Sequence, residues 1–140
     1  MDAIIKEAVA KNISRYSLNG LSVSGMVASV YDGDTCDVVL LLPGEGVKRY
    51  VIRMLSYNSP EIKVSRLLKH EEREECHKAA VSAKEMLADL LGMNLPVDER
   101  PILRIDCEGW DKYGRLLARI FDKTVCINDV MLLNGYGKSM

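Results

Sequence analysis

Residues 47–61, with the sequence VKRYVIRMLSYNSPE, begin with the alternating pattern of a β-strand and end at a proline that is surrounded by polar side chains. From residue 50 to residue 55, consecutive side chains alternate as in a half-buried β-strand. The strand pattern ends at Ser59-Pro60, because proline fixes its own φ and disfavours helix at the residue before it. Arg53 lies on an otherwise apolar face of this strand, and the Glu61 carboxylate beyond the turn could return to the same space.

The bulk composition bounds the class of protein. A chain of 140 residues with 48% hydrophobic and 28% charged residues is expected to form one globular domain with a core of its own. The formal net charge is −1, so no global positive field gathers polyanions. Any nucleic-acid binding must therefore come from a local patch and should be weak and salt-sensitive.

The cysteines and the N-terminus predict a reduced, intracellular (cytoplasmic) protein. The four cysteines have no CxxC spacing, which favours buried reduced thiols over a metal cluster. No apolar run has the length of a membrane span, and Asp2, Lys6 and Glu7 are atypical of a signal peptide. His70 and His77 lie in a charged helical stretch, where solvated histidines are expected.

Periodicity and turn residues predict an α+β, mainly β fold. The expected elements, in chain order, are a helix over 2–11, strands over 21–30, 35–42 and 47–55, a helix over 71–91 ended by Gly92, strands over 102–107 and 115–121, and a helix over 127–134 capped by Gly135. This order is that of a five-stranded OB-fold β-barrel, with a helix between strands three and four and a C-terminal helix.

The N-terminal segment is expected to stand apart from the barrel. Residues 1–19 divide into an amphipathic helix and a connector, and residues 20–140 form the barrel domain. The apolar stripe of the helix, which includes Ile4, Ile5 and Val9, is expected to dock either on the core or on a second copy of the chain, giving a homo-oligomer.

Three separated segments carry the residue types that phosphodiester hydrolysis requires. Asp34 closes the first turn, and Arg115 follows a second glycine turn. Between them, residues 47–61 (the central stretch) contribute Arg53, Asn58, Ser59 and Glu61. Guanidinium groups match the geometry of phosphate oxygens, and a hard divalent cation prefers carboxylate, amide and carbonyl oxygens. A carboxylate near such an ion could take the proton from the attacking water.

The motifs DGDT (32–35), IRMLSYNSPE (52–61) and DKYGR (111–115) occur in this order and at the spacing of the staphylococcal-nuclease-like (thermonuclease) family, which the chain resembles from about residue 21 to residue 138. The resemblance implies a calcium-dependent endonuclease, with Mg²⁺ or Mn²⁺ as alternative ions. Such enzymes hydrolyse DNA and RNA, preferably single-stranded or frayed, with little sequence preference, and leave 3′-phosphate ends.

The resemblance also assigns roles to individual residues. It implies metal binding by Asp34, by the main-chain carbonyl of Ser59 and, through water, by Glu61, which is also the expected general base. Arg53 and Arg115 take the positions of the phosphate-clamping arginines. Lys112 and Tyr113 match positions that contact a terminal phosphate of bound nucleotide.

Two departures bear on the expected activity. Asn58 stands where the best-studied members have a second calcium-binding aspartate, so one formal charge is lost and weaker calcium binding, or a different hard cation, is expected. The sequence ends at Met140, so the longer C-terminal helix of the family is not expected. The alternative function is a catalytically weak or inactive module that binds single-stranded nucleic acid or a protein partner.

Overall fold

The computed structural model describes residues 1–12, 17–60 and 69–139. Its helices are α1 (Asp2–Ala10), α2 (His70–Leu90) and α3 (Ile127–Leu133), with a 3₁₀ turn over Val97–Glu99. Its strands are β1 (Ser22–Asp32), β2 (Thr35–Leu42), β3 (Gly46–Met54), β4 (Tyr57–Asn58), β5 (Leu103–Trp110), β6 (Leu116–Asp122), β7 (Val125–Cys126) and β8 (Lys138–Ser139).

Five of these strands close into a barrel. The hydrogen-bonded order is β3-β2-β1-β5-β6, and a parallel pairing between β3 and β6 completes the circle, with Ile52 beside Leu116 and Met54 beside Ala118. Helix α2 connects the third barrel strand to the fourth, and α3 follows the fifth. The predicted α+β, OB-like barrel is thereby confirmed.

The barrel interior is built from alternate side chains of each strand. In β2, the buried apolar residues Cys36, Val38, Leu40 and Leu42 point inward, as the period of two requires. Helix α2 packs over the barrel through Ala80, Ala83 and Leu87, which are fully buried members of the predicted apolar stripe. Its end at Gly92, where φ is +83°, is also as predicted.

The strand ends differ from the prediction where pairing is long-range. β1 continues to Asp32 because its ladder with β2 extends to the pair Asp32–Thr35. The strands β4, β7 and β8 were not predicted, since a two-residue strand has no periodicity of its own. The pairing of β4 with β8 joins residues about eighty positions apart and places Lys138 and Ser139 beside Tyr57 and Asn58.

Helix α1 forms where it was predicted but does not pack into the barrel core. None of its residues is buried, and Ile4 and Val9 are 73% and 76% exposed. Docking on the core is therefore not observed, whereas docking on a second copy stays a prediction. Within the described ranges, no helix combines the length and the apolar character needed to cross a membrane.

The thiols and the histidines can be placed individually. All four cysteines are free: Cys36 and Cys107 are buried, as predicted, but Cys76 and Cys126 are only half-buried. His70 and His77 are both exposed on α2, as predicted. His70 lies beside Glu74, with 3.0 Å between Nε2 and Oε1.

Candidate functional site

The turn between β1 and β2 presents two carboxylates with different roles. Asp32 caps the turn, because its Oδ1 accepts a hydrogen bond from the backbone N–H of Asp34 at 3.2 Å. Asp34 is buried, and its carboxylate accepts hydrogen bonds from the Thr35 hydroxyl at 2.9 Å and from the Ser59 N–H at 3.0 Å. Asp34 therefore links the β1–β2 turn to Ser59, at the end of residues 47–61.

Arg53 is enclosed by the chain around it. It is 7% exposed, which departs from the usual extension of strand arginines into solvent. Its Nη1 donates to the carbonyls of Met54 at 2.7 Å and Tyr57 at 3.0 Å. Its Nη2 donates to the Asn58 side-chain oxygen and lies 3.3 Å from Asp34 Oδ2. The guanidinium thus organises the bend between β3 and β4 as well as facing the carboxylate.

Arg115 is oriented by the turn that precedes it. Its Nε donates to Asp111 Oδ2 at 2.6 Å, and Asp111 Oδ1 accepts the backbone N–H groups of Tyr113 and Arg115, both at 2.9 Å. Burial alone would raise the pKa of Asp111, but these N–H groups and the guanidinium hold it below its usual range. Asp111 therefore stays ionised and fixes the direction of Arg115.

One polar pocket collects most of the predicted site residues. It has a volume of about 300 Å³, and its lining consists of Asp32, Asp34, Arg53, Asn58, Ser59 and Arg115. Lys112 and Tyr113 are exposed on the same turn as Arg115 but do not line the pocket. Glu61 lies outside the described residues. The barrel thus brings together side chains from three segments that are far apart in sequence.

Asp32 lines the pocket but was not among the predicted site residues, although it is the first letter of DGDT. Burial raises the pKa of its carboxyl, and the neighbouring carboxylate of Asp34 raises it further. Two carboxylates that share a pocket repel each other. A bound cation would remove this repulsion.

The donor set fits a hard divalent cation in part. Asp32 and Asp34 supply carboxylate oxygens, and Asn58 supplies an amide oxygen whose second lone pair is not used by Arg53. Across the part of the chain that the structure describes, no cluster of three or more His, Cys, Asp or Glu side chains could hold a metal ion. Any cation here would therefore depend on neutral oxygens and water alongside the two aspartates.

The turn is held against the central stretch by a buried tyrosine. Tyr57 is fully buried, and its hydroxyl donates to the Gly33 carbonyl at 2.6 Å. A Cβ added at Gly33 would lie 2.7 Å from the Cβ atoms of both Ala83 and Ser59. Only glycine fits at this close approach, which explains the residue between the two aspartates.

Comparison with known proteins finds a relative but no assigned family. No protein-family model matches the chain. An uncharacterized protein of Bacillus anthracis is 33% identical over 121 residues, which are 86% of this chain and 49% of that protein. The chain therefore spans about half the length of the curated relative it matches. Because the relative is uncharacterized, the likeness assigns no activity.

Proposed function

We propose that the chain is a divalent-cation-dependent endonuclease, with calcium as the preferred ion, that hydrolyses phosphodiester bonds of DNA and RNA. The observation that carries this proposal is the convergence of Asp34, Arg53 and Arg115 on one polar pocket. A phosphodiester gathers negative charge on its oxygens as it is attacked, and preorganised cationic donors stabilise that charge. The resemblance to the staphylococcal-nuclease-like family supports the same reaction and predicts 3′-phosphate products.

Arg115 is the better-placed phosphate ligand of the two arginines. Its Nε is held by Asp111, and its side chain remains 30% exposed at the pocket. A guanidinium oriented in this way meets a phosphate with little further loss of side-chain freedom. Arg53, whose side chain is only 9% exposed, contributes positive charge to the pocket, and its contacts with Asp34 and Asn58 fix its position.

Asp34 and Asp32, with the neutral oxygens of Asn58 and Ser59, would hold the cation. When bound, a hard divalent ion supplies charge stabilisation and orients the phosphate. The resemblance gives Glu61 the task of accepting the proton from the attacking water. Replacement of an aspartate by Asn58 lowers the charge of the ligand set, so we expect weaker calcium binding than in members that keep the aspartate.

A second candidate function is a module that binds single-stranded nucleic acid without cleaving it. The enclosure of Arg53 favours this alternative, because the guanidinium donates to Met54, Tyr57 and Asn58 within the chain. An arginine that is committed to the protein has a structural role whether or not a substrate binds. The pocket would then be an anion site whose more exposed cationic group is Arg115.

A cleavage panel distinguishes the two functions. Single-stranded DNA, duplex DNA and RNA are incubated with the protein in calcium, magnesium or manganese, and the product ends are analysed. We expect cleavage in at least calcium, and loss of roughly 100- to 1,000-fold in rate for Arg115→Gln, the size typical of removing one charge-stabilising donor. Glu61→Gln should abolish most turnover while nucleotide binding persists.

The control is Arg104→Gln. Arg104 lies on β5, where its Nε is 3.3 Å from Asp106 Oδ1 and its guanidinium carbon is 4.1 Å from the centre of the Phe121 ring. The two substitutions change the charge equally, but Arg104 does not line the pocket. Absence of cleavage in all three ions, with measurable affinity for single strands, would establish the binding module instead.

A further inference from the structure

A second arginine on the barrel surface is held by an aspartate in the same way as Arg115. Arg49 donates from Nε to Asp37 Oδ2 at 2.6 Å, and its Nη2 also lies against that oxygen. The Asp37 side chain is only 8% exposed, whereas the Arg49 side chain is 61% exposed. The carboxylate is therefore a buried anchor, and the guanidinium is presented to solvent in a fixed orientation.

Each of the two anchored arginines lies beside an exposed tyrosine. Tyr31 is 50% exposed, and its hydroxyl donates to the same Asp37 oxygen at 3.5 Å. Tyr113 is 72% exposed, and its ring centre lies 5.4 Å from the guanidinium carbon of Arg115. Arg49 and Arg115 thus each share an aspartate neighbour with an exposed tyrosine.

Arg49 lies on the same face of β3 as Arg53, which lines the pocket together with Arg115. Residues 49, 51 and 53 alternate regularly along β3, whose ladder with β2 has no bulge, so Arg49 and Arg53 point to one side. Four residues of strand separate them by about 13 Å. At the Arg53 end of this side, the pocket brings in Asp34 from the β1–β2 turn and Arg115 from the end of the turn at residues 111–114. In OB-fold barrels, the face of the second and third strands between these two loops binds oligonucleotides.

An ion pair between strands is the simplest account of Asp37 and Arg49, since cross-strand pairs of opposite charge stabilise sheets modestly. That account explains the buried carboxylate. It does not explain why a half-exposed tyrosine bonds to the same carboxylate oxygen as the guanidinium. Stacking rings beside cationic groups are the recurring composition of surfaces that bind single strands.

We propose that Arg49 and Tyr31 form a second subsite, in which Arg49 binds a backbone phosphate and Tyr31 stacks against a base of a single-stranded polynucleotide. The inference rests on the proposed function, because the pocket at Arg115 sets the position of the strand. The ~13 Å along β3 from Arg49 to Arg53, which lines the pocket with Arg115, corresponds to roughly four nucleotides stacked as in B-form DNA, at ~3.4 Å each, and to fewer if the strand is extended. The bound strand therefore runs along β3.

The test measures affinity without cleavage. Fluorescent oligothymidylates of two to ten nucleotides are titrated with the full chain in EDTA, and fluorescence anisotropy is recorded at several salt concentrations. Wild-type affinity should rise steeply as the probe becomes long enough to reach Arg49. Arg49→Gln should flatten that rise, weaken ten-nucleotide binding roughly five- to tenfold at low salt, and reduce the salt slope by about 0.7, the value for one phosphate contact on a single strand.

Two further comparisons separate binding from folding. Because Arg49→Gln leaves Asp37 buried without its cation, the double variant Asp37→Asn/Arg49→Gln is measured as well, and it should show the same loss of affinity. Tyr31→Phe keeps the ring and should bind as wild type, whereas Tyr31→Ala should bind at least fivefold more weakly. Arg104→Gln, which removes an equally charged arginine from β5, should retain the wild-type length dependence.

The outcomes distinguish this inference from the proposed function. If the protein cleaves nucleic acid but Arg49→Gln and Tyr31→Ala bind long probes as wild type does, the subsite is refuted and the nuclease stands. If no ion supports cleavage but the dependence on Arg49 holds, the nuclease is refuted and the subsite belongs to the binding module. Absence of affinity for every probe length refutes the subsite outright.

Discussion

Removal of the Tyr57 hydroxyl should weaken both the fold and the candidate metal site. In Tyr57→Phe the ring still fills its fully buried position, but the hydrogen bond to the Gly33 carbonyl is lost. Burial, with the nearby carboxylate of Asp34 as a smaller cause, raises the pKa of this hydroxyl far above its usual range. The hydroxyl is therefore a donor at every practical pH, and its removal has no compensating ionisation.

The size of the effect follows from the burial of the acceptor. A buried carbonyl that loses its donor costs about 1–3 kcal/mol, more than the ~1 kcal/mol net worth of an ordinary hydrogen bond. For a chain of this size, about 1 kcal/mol shifts the melting temperature by roughly 3–5 °C. We therefore expect a decrease of about 1–3 kcal/mol in the free energy of unfolding, together with weaker cation binding, because Gly33 lies between the two pocket aspartates.

The assay is urea unfolding followed by circular dichroism, with calorimetric titration of calcium on the folded protein. The matched control is Tyr113→Phe, which removes a hydroxyl from a ring that is 72% exposed and should change stability by less than ~0.5 kcal/mol. If Tyr57→Phe and Tyr113→Phe were equally stable, the hydroxyl would not be holding the turn, and our account of how the pocket is assembled would be wrong.

The remaining predictions concern the site and its support. Asn58→Asp should tighten calcium binding by about tenfold, because it restores a charged ligand, and an unchanged calorimetric titration would remove Asn58 from the metal site. Asn128 is fully buried and makes hydrogen bonds to Ile120 N–H and to the carbonyls of Leu55 and Ala118. Asn128→Ala should therefore cost about 3–5 kcal/mol in urea unfolding, against less than ~1 for the exposed control Asn134→Ala. Because the pKa of Asp111 is lowered by folding, its stabilising contribution should be complete above about pH 4 and decline as the pH falls through the folded-state value. The stability difference between wild type and Asp111→Asn should thus shrink in urea titrations from pH 6 toward pH 2.5, and a constant difference would contradict the assigned role of the carboxylate.

The local patterns were sufficient for most of the secondary structure. The strand Thr35–Leu42 and the start of the final helix at Ile127 agree with the predicted bounds, because alternation and glycine turns are properties of neighbouring residues. The short strands were missed for the opposite reason. Tyr57 and Ser139 pair only because the fold brings them together, and the residues next to either one show no strand pattern.

The candidate site divides in the same way. Three motif residues could be named from the sequence, because residue types and spacing are visible there: Asp34, Arg53 and Arg115. The structure added that Asp32, rather than Asp34, caps the turn and that Arg53 is enclosed by carbonyls. Both facts depend on which segments lie against each other.

The sequence by itself predicted the OB-like barrel, because hydrophobic alternation and turn chemistry act over a few positions, and it supplied the residues that we propose to surround a phosphate. Only the tertiary structure decided how these residues are held, with Asp111 orienting Arg115 and Asp37 orienting Arg49. Arg49 and Asp37 are twelve positions apart and meet across two strands. Strand pairing is fixed by the closure of the whole barrel, so the direction in which a guanidinium points is a property of the fold rather than of its neighbours in sequence.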